Sequence, residues 1–315
     1  MPFNYDYTYK FNGSPTTIFR KNLNINASYG GAQGVSKTLI VSTEDNDSAA
    51  SEDLNIVGDL NIAGGTSSYL RYMLKANASS IDVDGEVDIG RDGYGFGALD
   101  MGSATFRVGG NWDVRRDSGG NRGSEFIDSA WKAGTSTVIF DGNGASNPQT
   151  IYADGMPLNN MTVDTLGSVT LSSSGRDDLI LHGHLKILNG TFDANSQQIT
   201  FNGDGHTFEA AGGTTVDLDN VILVEDAVLT LLSDMTIDVP DNLIMMTGSR
   251  LYLNGFTLDV EGEDPFVSSE VSQAGIPWDE GTIYGTEGIP EPGTLLLLGT
   301  GALGIIGYLR RQRMR

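Results

Sequence analysis

A strand phrase broken by a small residue returns nine times between residues 54 and 260, and it constrains the fold more than any other feature of the chain. Apolar and polar residues alternate, a Gly interrupts, and the alternation resumes, which is the period-two pattern of β-strands. The copies read LNIVGDLNI (54–62), IDVDGEVDI (81–89), FRVGGNWDV (106–114), VIFDGNG (138–144), VDTLGSVTL (163–171), LILHGHLKI (179–187), ITFNGDG (199–205), LTLLSDMTIDV (229–239) and LYLNGFTLDV (251–260). Their interruptions fall at 58, 85, 110, 142, 167, 183, 203, 233 and 255, on average about 25 residues apart, with Ser233 in place of a Gly.

A unit of that length cannot bury its own apolar face, but units laid on one another make a continuous interior. The pattern predicts an all-β chain whose body is a single right-handed parallel β-helix, a solenoid, with Val83, Val108, Leu181 and Leu253 inward and Asp84, His182 and Asn254 outward. The intervals run from 16 to 32 residues, so insertions between coils are required. The same uneven spacing keeps tandem β-sandwich domains as the alternative.

Composition narrows the partners. The 315 residues include 42 Gly and no Cys, and 19 basic against 41 acidic side chains give a net charge of −22. Such a surface repels phosphate backbones, which excludes nucleic acid as a partner, and it gathers cations. The lack of Cys excludes a disulfide framework, a Cys-ligated metal and a cysteine nucleophile.

The body, residues 54–260, has distinct flanks. Residues 1–53 read as N-terminal capping strands and an acidic loop: Phe3, Tyr5, Tyr7, Tyr9 and Phe11 put five aromatics on one strand face that would cover the open first coil, and STEDNDSAASED (42–53) carries five acids without periodicity. Residues 261–289 are acidic and turn-rich, a spacer or C-terminal cap in which Phe266, Trp278 and Tyr284 supply apolar area.

The last segment, 290–315, is of another kind. Pro290, Glu291, Pro292 and Gly293 lead into the uncharged run Thr294 to Leu309, and Arg310, Arg311, Arg313 and Arg315 follow. As a helix the run spans about 24 Å, slightly less than a bilayer core of about 30 Å, a gap that snorkelling arginines close. The positive-inside rule keeps the basic end in the cytoplasm and everything before Pro290 across the inner membrane.

This tail resembles the PEP-CTERM sorting signal, in which Pro-Glu-Pro, a short hydrophobic helix and an Arg-rich terminus are read by an exosortase. The resemblance implies transient engagement of an exosortase and of the inner membrane through residues 294–309, then cleavage near Pro290–Pro292. The body would end at the cell surface or in the extracellular matrix of a Gram-negative bacterium, in the company of exopolysaccharide. The opening stretch MPFNYDYTYKFNGSPTTIF has no basic n-region, apolar h-region or small-residue cleavage site, so the expected signal peptide would lie upstream of this sequence. The stretch STVIFDGNGASNPQTIYADGMPLNNMTVD (136–164) loosely resembles repeats of autotransporter-like adhesins, which implies an extracellular β-solenoid and no particular ligand; taken with the sorting signal, the expectation for the whole chain is a surface-sorted structural or adhesive protein.

Two clusters are candidates for metal. Asp82, Asp84, Glu86 and Asp88, with Asp92 beyond, would place four carboxylates on one strand face, the oxygen donors that Ca2+ takes; a solvated face is the leading reading, since no EF-hand or nonapeptide loop accompanies them. His182 and His184 point outward together and His206 follows about one coil later, so stacking would gather three imidazoles suited to zinc or copper. No other cofactor is expected. An enzyme reading, a β-helix polysaccharide lyase or hydrolase, would draw on Arg115, Arg116, Arg122, Arg176, Asp177 and Asp178, all in turn-rich stretches. His182-Gly183-His184 is superficially similar to the Gly-His-Gly of polygalacturonases, whose companion signatures are missing. The residues thus favour a non-enzymatic role, with the enzyme and a carbohydrate-binding module as alternatives.

Overall fold

The computed structural model describes residues 6–10, 16–25, 37–43, 53–62, 70–90, 96–114, 131–142, 148–173, 178–237, 243–260 and 282–285. Among the described residues every regular element is a strand. The first coil is β1 (Asp6–Lys10), β2 (Thr16–Phe19) and β3 (Leu23–Ile25). The second is β4 (Lys37–Ser42), β5 (Asp53–Ile56) and β6 (Leu60–Ile62), and the third is β7 (Leu70–Lys75), β8 (Ser80–Val83) and β9 (Val87–Ile89). The fourth is β10 (Phe96–Asp100), β11 (Thr105–Val108) and β12 (Trp112–Val114). Next come β13 (Thr137–Phe140), β14 (Gln149–Tyr152), the long β15 (Asn160–Leu171), β16 (Leu179–Leu181) and the long β17 (Leu185–Asp193). Threefold coils then resume with β18 (Gln198–Phe201), β19 (His206–Ala210) and β20 (Thr215–Asp217), followed by β21 (Asn220–Leu223), β22 (Val228–Leu231) and β23 (Met235–Ile237). The last are β24 (Leu243–Met245), β25 (Arg250–Tyr252), β26 (Thr257–Val260) and β27 (Thr282–Gly285).

Every strand pairing among these elements is parallel, each strand on its counterpart in the next coil. Three faces result. The first carries β1-β4-β7-β10 and, further on, β16-β18-β21-β24. The second runs β2-β5-β8-β11-β13-β15-β17-β19-β22-β25. The third holds β3-β6-β9-β12-β14, the latter parts of β15 and β17, β20, and the group β23-β26-β27. Antiparallel sandwiches are excluded by this topology, and the chain is a β-solenoid.

The alternation in the sequence becomes columns of stacked side chains. On the second face Leu54, Ile81, Phe106, Val138, Met161, Leu185 and Phe208 lie one above another, all buried. Ile56, Val83, Val108, Phe140, Val163 and Ile187 form a second column two residues on. Each such side chain gains roughly 1.5–3 kcal/mol on leaving water, and none could do so within its own coil. Val83, Val108, Leu181 and Leu253 face inward and Asp84, His182 and Asn254 outward, as the pattern predicts.

The coils begin upstream of residue 54. Over Asp6–Lys10 the aromatic run is not laid across the opening but is the first rung of the first face, in register with β4 from Asp6↔Thr38 to Lys10↔Ser42. Phe3, Tyr5 and Phe11, the acidic stretch 44–52, the spacer apart from β27, and the sorting tail with its hydrophobic run lie outside the described residues.

The uneven spacing of the interruptions has a geometric cause. Gly58, Gly85, Gly110, Gly142, Gly167, Ser233 and Gly255 turn the chain from the second face to the third, whereas Gly183 and Gly203 turn it from the first face to the second. Two corners were thus read as one series. At the second-to-third corner the backbones nearly touch: Gly110 N donates to Gly85 O at 2.8 Å and Gly85 N to Gly58 O at 3.1 Å. A Cβ on Gly110 would stand 2.7 Å from the Gly85 carbonyl carbon, closer than any side chain tolerates. At the first-to-second corner Asn77, Gly102 and Gly134 repeat the left-handed conformation, with φ of 53°, 56° and 59°.

Candidate functional site

The outward polar residues bind the coils to one another before they can bind anything else. Just past three successive corner glycines stand Asp59, Glu86 and Asn111. Asn22 Nδ2 donates to Asp59 Oδ2 at 2.8 Å, and Asp59 N donates to Asn22 Oδ1 at 3.1 Å. Glu86 N donates to Asp59 Oδ1 at 3.0 Å, Asn111 Nδ2 to Glu86 Oε1 at 2.9 Å, and Thr150 N to Asn111 Oδ1 at 2.8 Å. This ladder was not anticipated from the sequence, although its signal is there: a polar side chain directly after each of Gly58, Gly85 and Gly110. Elsewhere Asp53 accepts from Ser80 N at 2.7 Å and Asp234 from Thr257 N at 2.8 Å, so carboxylates repeatedly close the backbone of a neighbouring coil.

That use divides the acidic cluster. Asp82 lies on β8, Asp84 and Glu86 flank the corner at Gly85, and Asp88 lies on β9, so the four carboxylates occupy two faces and the edge between them rather than one strand face. The reason is that Gly85 is a corner and not a mid-strand position. Asp82 is paired in register with Arg107, whose Nη1 lies 3.4 Å from Asp141 Oδ2. Burial pushes the Asp82 carboxyl above its ordinary range, Asp141 and Asp84 push it further, and Arg107 opposes them.

The histidines divide as well. His182 and His184 are exposed, and His184 belongs to a second ladder: its N donates to Asn160 Oδ1 at 3.0 Å, and its Nδ1 is 2.9 Å from Thr207 Oγ1. The register places Thr207, not His206, beside His184, because Leu185 pairs with Phe208. His206 faces inward, 0% exposed, in register with Leu229 and through it Leu251. The turn Gly203-Asp204-Gly205, with positive φ at both glycines, shifts the parity by one residue, and in a strand one residue exchanges inside for outside. The expected convergence of three imidazoles on one face therefore does not occur. Among the described residues no group of three His, Asp or Glu side chains is placed to hold a metal ion. Although both side chains reach solvent, partial desolvation by the surrounding coils lowers the affinity of His182 and His184 for protons, and the neighbouring His206 lowers it further.

Of the residues weighed for catalysis, Asp178 accepts from Gln198 N at 3.1 Å, another closure of the next coil. Arg115, Arg116, Arg122, Arg176 and Asp177 lie outside the described residues, as do Asp92, Pro290, Glu291, Pro292, Arg310, Arg311, Arg313 and Arg315.

Residues 288–312 match the model of the PEP-CTERM protein-sorting motif. The chain carries a PEP-CTERM sorting signal. The match spans Pro290, Glu291 and Pro292, the apolar run, and Arg310 and Arg311. Comparison with curated proteins and with solved structures finds no match. A PEP-CTERM motif implies recognition by an exosortase, a membrane-anchored precursor, and export to the surface or beyond.

Proposed function

We propose that this chain is a structural or adhesive protein of the extracellular matrix or biofilm of a Gram-negative bacterium, delivered by its PEP-CTERM tail. The observation that carries the reading is the conjunction of that tail with a body in which, among the described residues, outward side chains such as Asn22, Asp59, Glu86 and Asn111 join coil to coil. The apolar run 294–309 holds the precursor in the inner membrane, Arg310, Arg311, Arg313 and Arg315 fix its orientation, and an exosortase cuts near Pro292. The released body is a stiff right-handed rod with an acidic exterior, suited to contact exopolysaccharide through bridging cations such as Ca2+.

Replacing Pro290, Glu291 and Pro292 together by Ala tests this in a host that has the exosortase. An uncut, membrane-bound precursor is expected, while deletion of 293–315 should give a soluble protein with intact β structure. Processing and release of the alanine variant at the normal rate would refute the assignment of the tail, and failure of the truncated body to fold would refute its independence from the tail.

A further inference from the structure

The outer side of the first face is apolar in its carboxyl half. In β16, β18, β21 and β24 the core takes alternate residues, such as Val221 and Leu223, so Ile180, Thr200, Ile222 and Ile244 between them point outward. They stand in one register, Ile180↔Thr200, Thr200↔Ile222 and Ile222↔Ile244, and the bridge of Leu158 to Leu181 sets Pro157 beside Ile180 as a fifth rung. In the middle of the column Thr200 and Ile222 keep 8% and 9% of their surface, while Met246 at its rim is 47% exposed. The four strands read LIL, QITF, NVIL and LIM, without an ionisable residue. The second face, by contrast, sets Asp82 and Arg107, and then Lys186 and Glu209, side by side in its register. On a chain of net charge −22 an uncharged stripe of this kind suits an apolar partner.

Size and reach select that partner. Five rungs about 4.8 Å apart make a stripe about 19 Å long, and strands of three or four residues make it about 10–13 Å wide, so it offers roughly 200–250 Å² against the roughly 800 Å² per partner of a stable interface between free proteins. A segment of the same molecule needs far less area, because a short link holds it at a millimolar effective concentration. The chain carries such a segment in the uncharged run 294–309, which as a helix would be about 24 Å long and would match the stripe. The link is also long enough. β27 ends at Gly285 beside β26 on the third face, and the eight residues 286–293 reach about 26–29 Å. The chain itself passes from the third face to the first on five residues, between Ile237 and Leu243.

We propose that the apolar run 294–309 lies along this stripe while it is outside the membrane, sheltered on Ile180, Ile222, Ile244 and Met246, and gives the stripe up on entering the bilayer. The proposal rests on the reading of that run as the membrane segment of the precursor. Cutting near Pro292 then leaves the stripe bare on the released body.

The lack of Cys gives a clean reporter. Full-length Met246→Cys in detergent-free buffer is labelled with a polar maleimide, and Val57→Cys, 48% exposed at the second-to-third corner of the second coil, serves as the control. Adding Leu297→Asp with Ile305→Asp charges the run and leaves the body unchanged. Labelling of Met246→Cys is expected to speed up about tenfold, the ratio for a run docked about nine-tenths of the time, while Val57→Cys keeps its rate. Equal rates with and without the two aspartates would overturn the proposal. Protection that fades on about tenfold dilution would overturn it as well, since the occupant would then be a second copy. The labelling needs no exosortase, so its failure leaves the cutting of the tail to be judged by the alanine variant of Pro290, Glu291 and Pro292, and failure of that variant leaves the docking to be judged by the labelling.

Discussion

The His206 imidazole lies 2.7 Å through Nδ1 from the carbonyl oxygen of Gly183, one coil earlier. A carbonyl only accepts, so Nδ1 is the donor, while Nε2 on the other side of the ring is buried and has no hydrogen-bond partner. The ring packs edge-on against Phe201 at 5.5 Å. A polar ring thus stands at the head of a leucine column, held by one bond and bare on its other side.

Replacing His206 by Leu removes the donor for a buried carbonyl and at the same time removes the bare nitrogen. The stranded carbonyl should dominate, for a net loss of about 1 kcal/mol. Urea unfolding of His206→Leu checks this; a rise in midpoint would mean that the bare Nε2 is the larger cost.

The exposed histidines make stability depend on pH. In the unfolded chain His182 and His184 take up protons near the ordinary value of 6.5, while in the folded chain they do so only at lower pH. The unfolded state therefore binds more protons in that window, and their contribution to stability, complete above 6.5, should decline as the pH falls below it. The urea midpoint measured from pH 7.5 down to 5.5 should drop, and the double variant His182→Gln/His184→Gln should flatten the slope.

Asp82 works in the opposite direction. Its carboxyl is pushed up, so the folded state holds that proton more readily, and the penalty of ionisation is present at neutral pH and relieved as the pH falls through the raised value. Asp82→Asn should stabilise slightly at pH 7, by tenths of a kcal/mol at this partly exposed position, and Arg107→Gln should destabilise. The same carboxylates frame a calcium test. Millimolar Ca2+ is expected to leave the melting temperature almost unchanged, and a large saturable rise would make Asp82, Asp84, Glu86 and Asp88 ligands after all.

The left-handed corner sets a third limit. A Cβ on Gly134 would stand 2.7 Å from the Gly102 carbonyl carbon, at a φ of 59° that side chains avoid. Gly134→Val should cost about 2–3 kcal/mol, from backbone strain and crowding together, and Gly212→Val, where a Cβ meets nothing within 4 Å, should cost far less. Thermal denaturation of the two variants compares them directly.

These particulars mark what was legible beforehand. The inward columns could be read because burial on one face imposes a period of two on neighbouring residues, and Val83, Val108, Leu181 and Leu253 needed no other information. Assigning interruptions to corners could not, because Gly85 and Gly183 look alike in sequence yet turn the chain at different edges. His206 was misplaced by one residue of parity, which the Gly203-Asp204-Gly205 turn consumes. Glu86 looked like one carboxylate of a solvated face because its partners, Asp59 and Asn111, stand 27 and 25 residues away, at distances that only stacking can close.

Coils joined only to their neighbours would also respond to tension in a particular way. A body tethered by its carboxyl end and held elsewhere by the matrix would carry load from β27 inward, and each pairing is in parallel register, so the strands of one coil would be peeled from the next in turn. Each event would release the length of a single coil, about 75 Å for some 22 residues at full extension. Under flow or cell movement the chain would lengthen by small steps rather than fail at once, a shock absorber whose step size is written in the spacing of its corners.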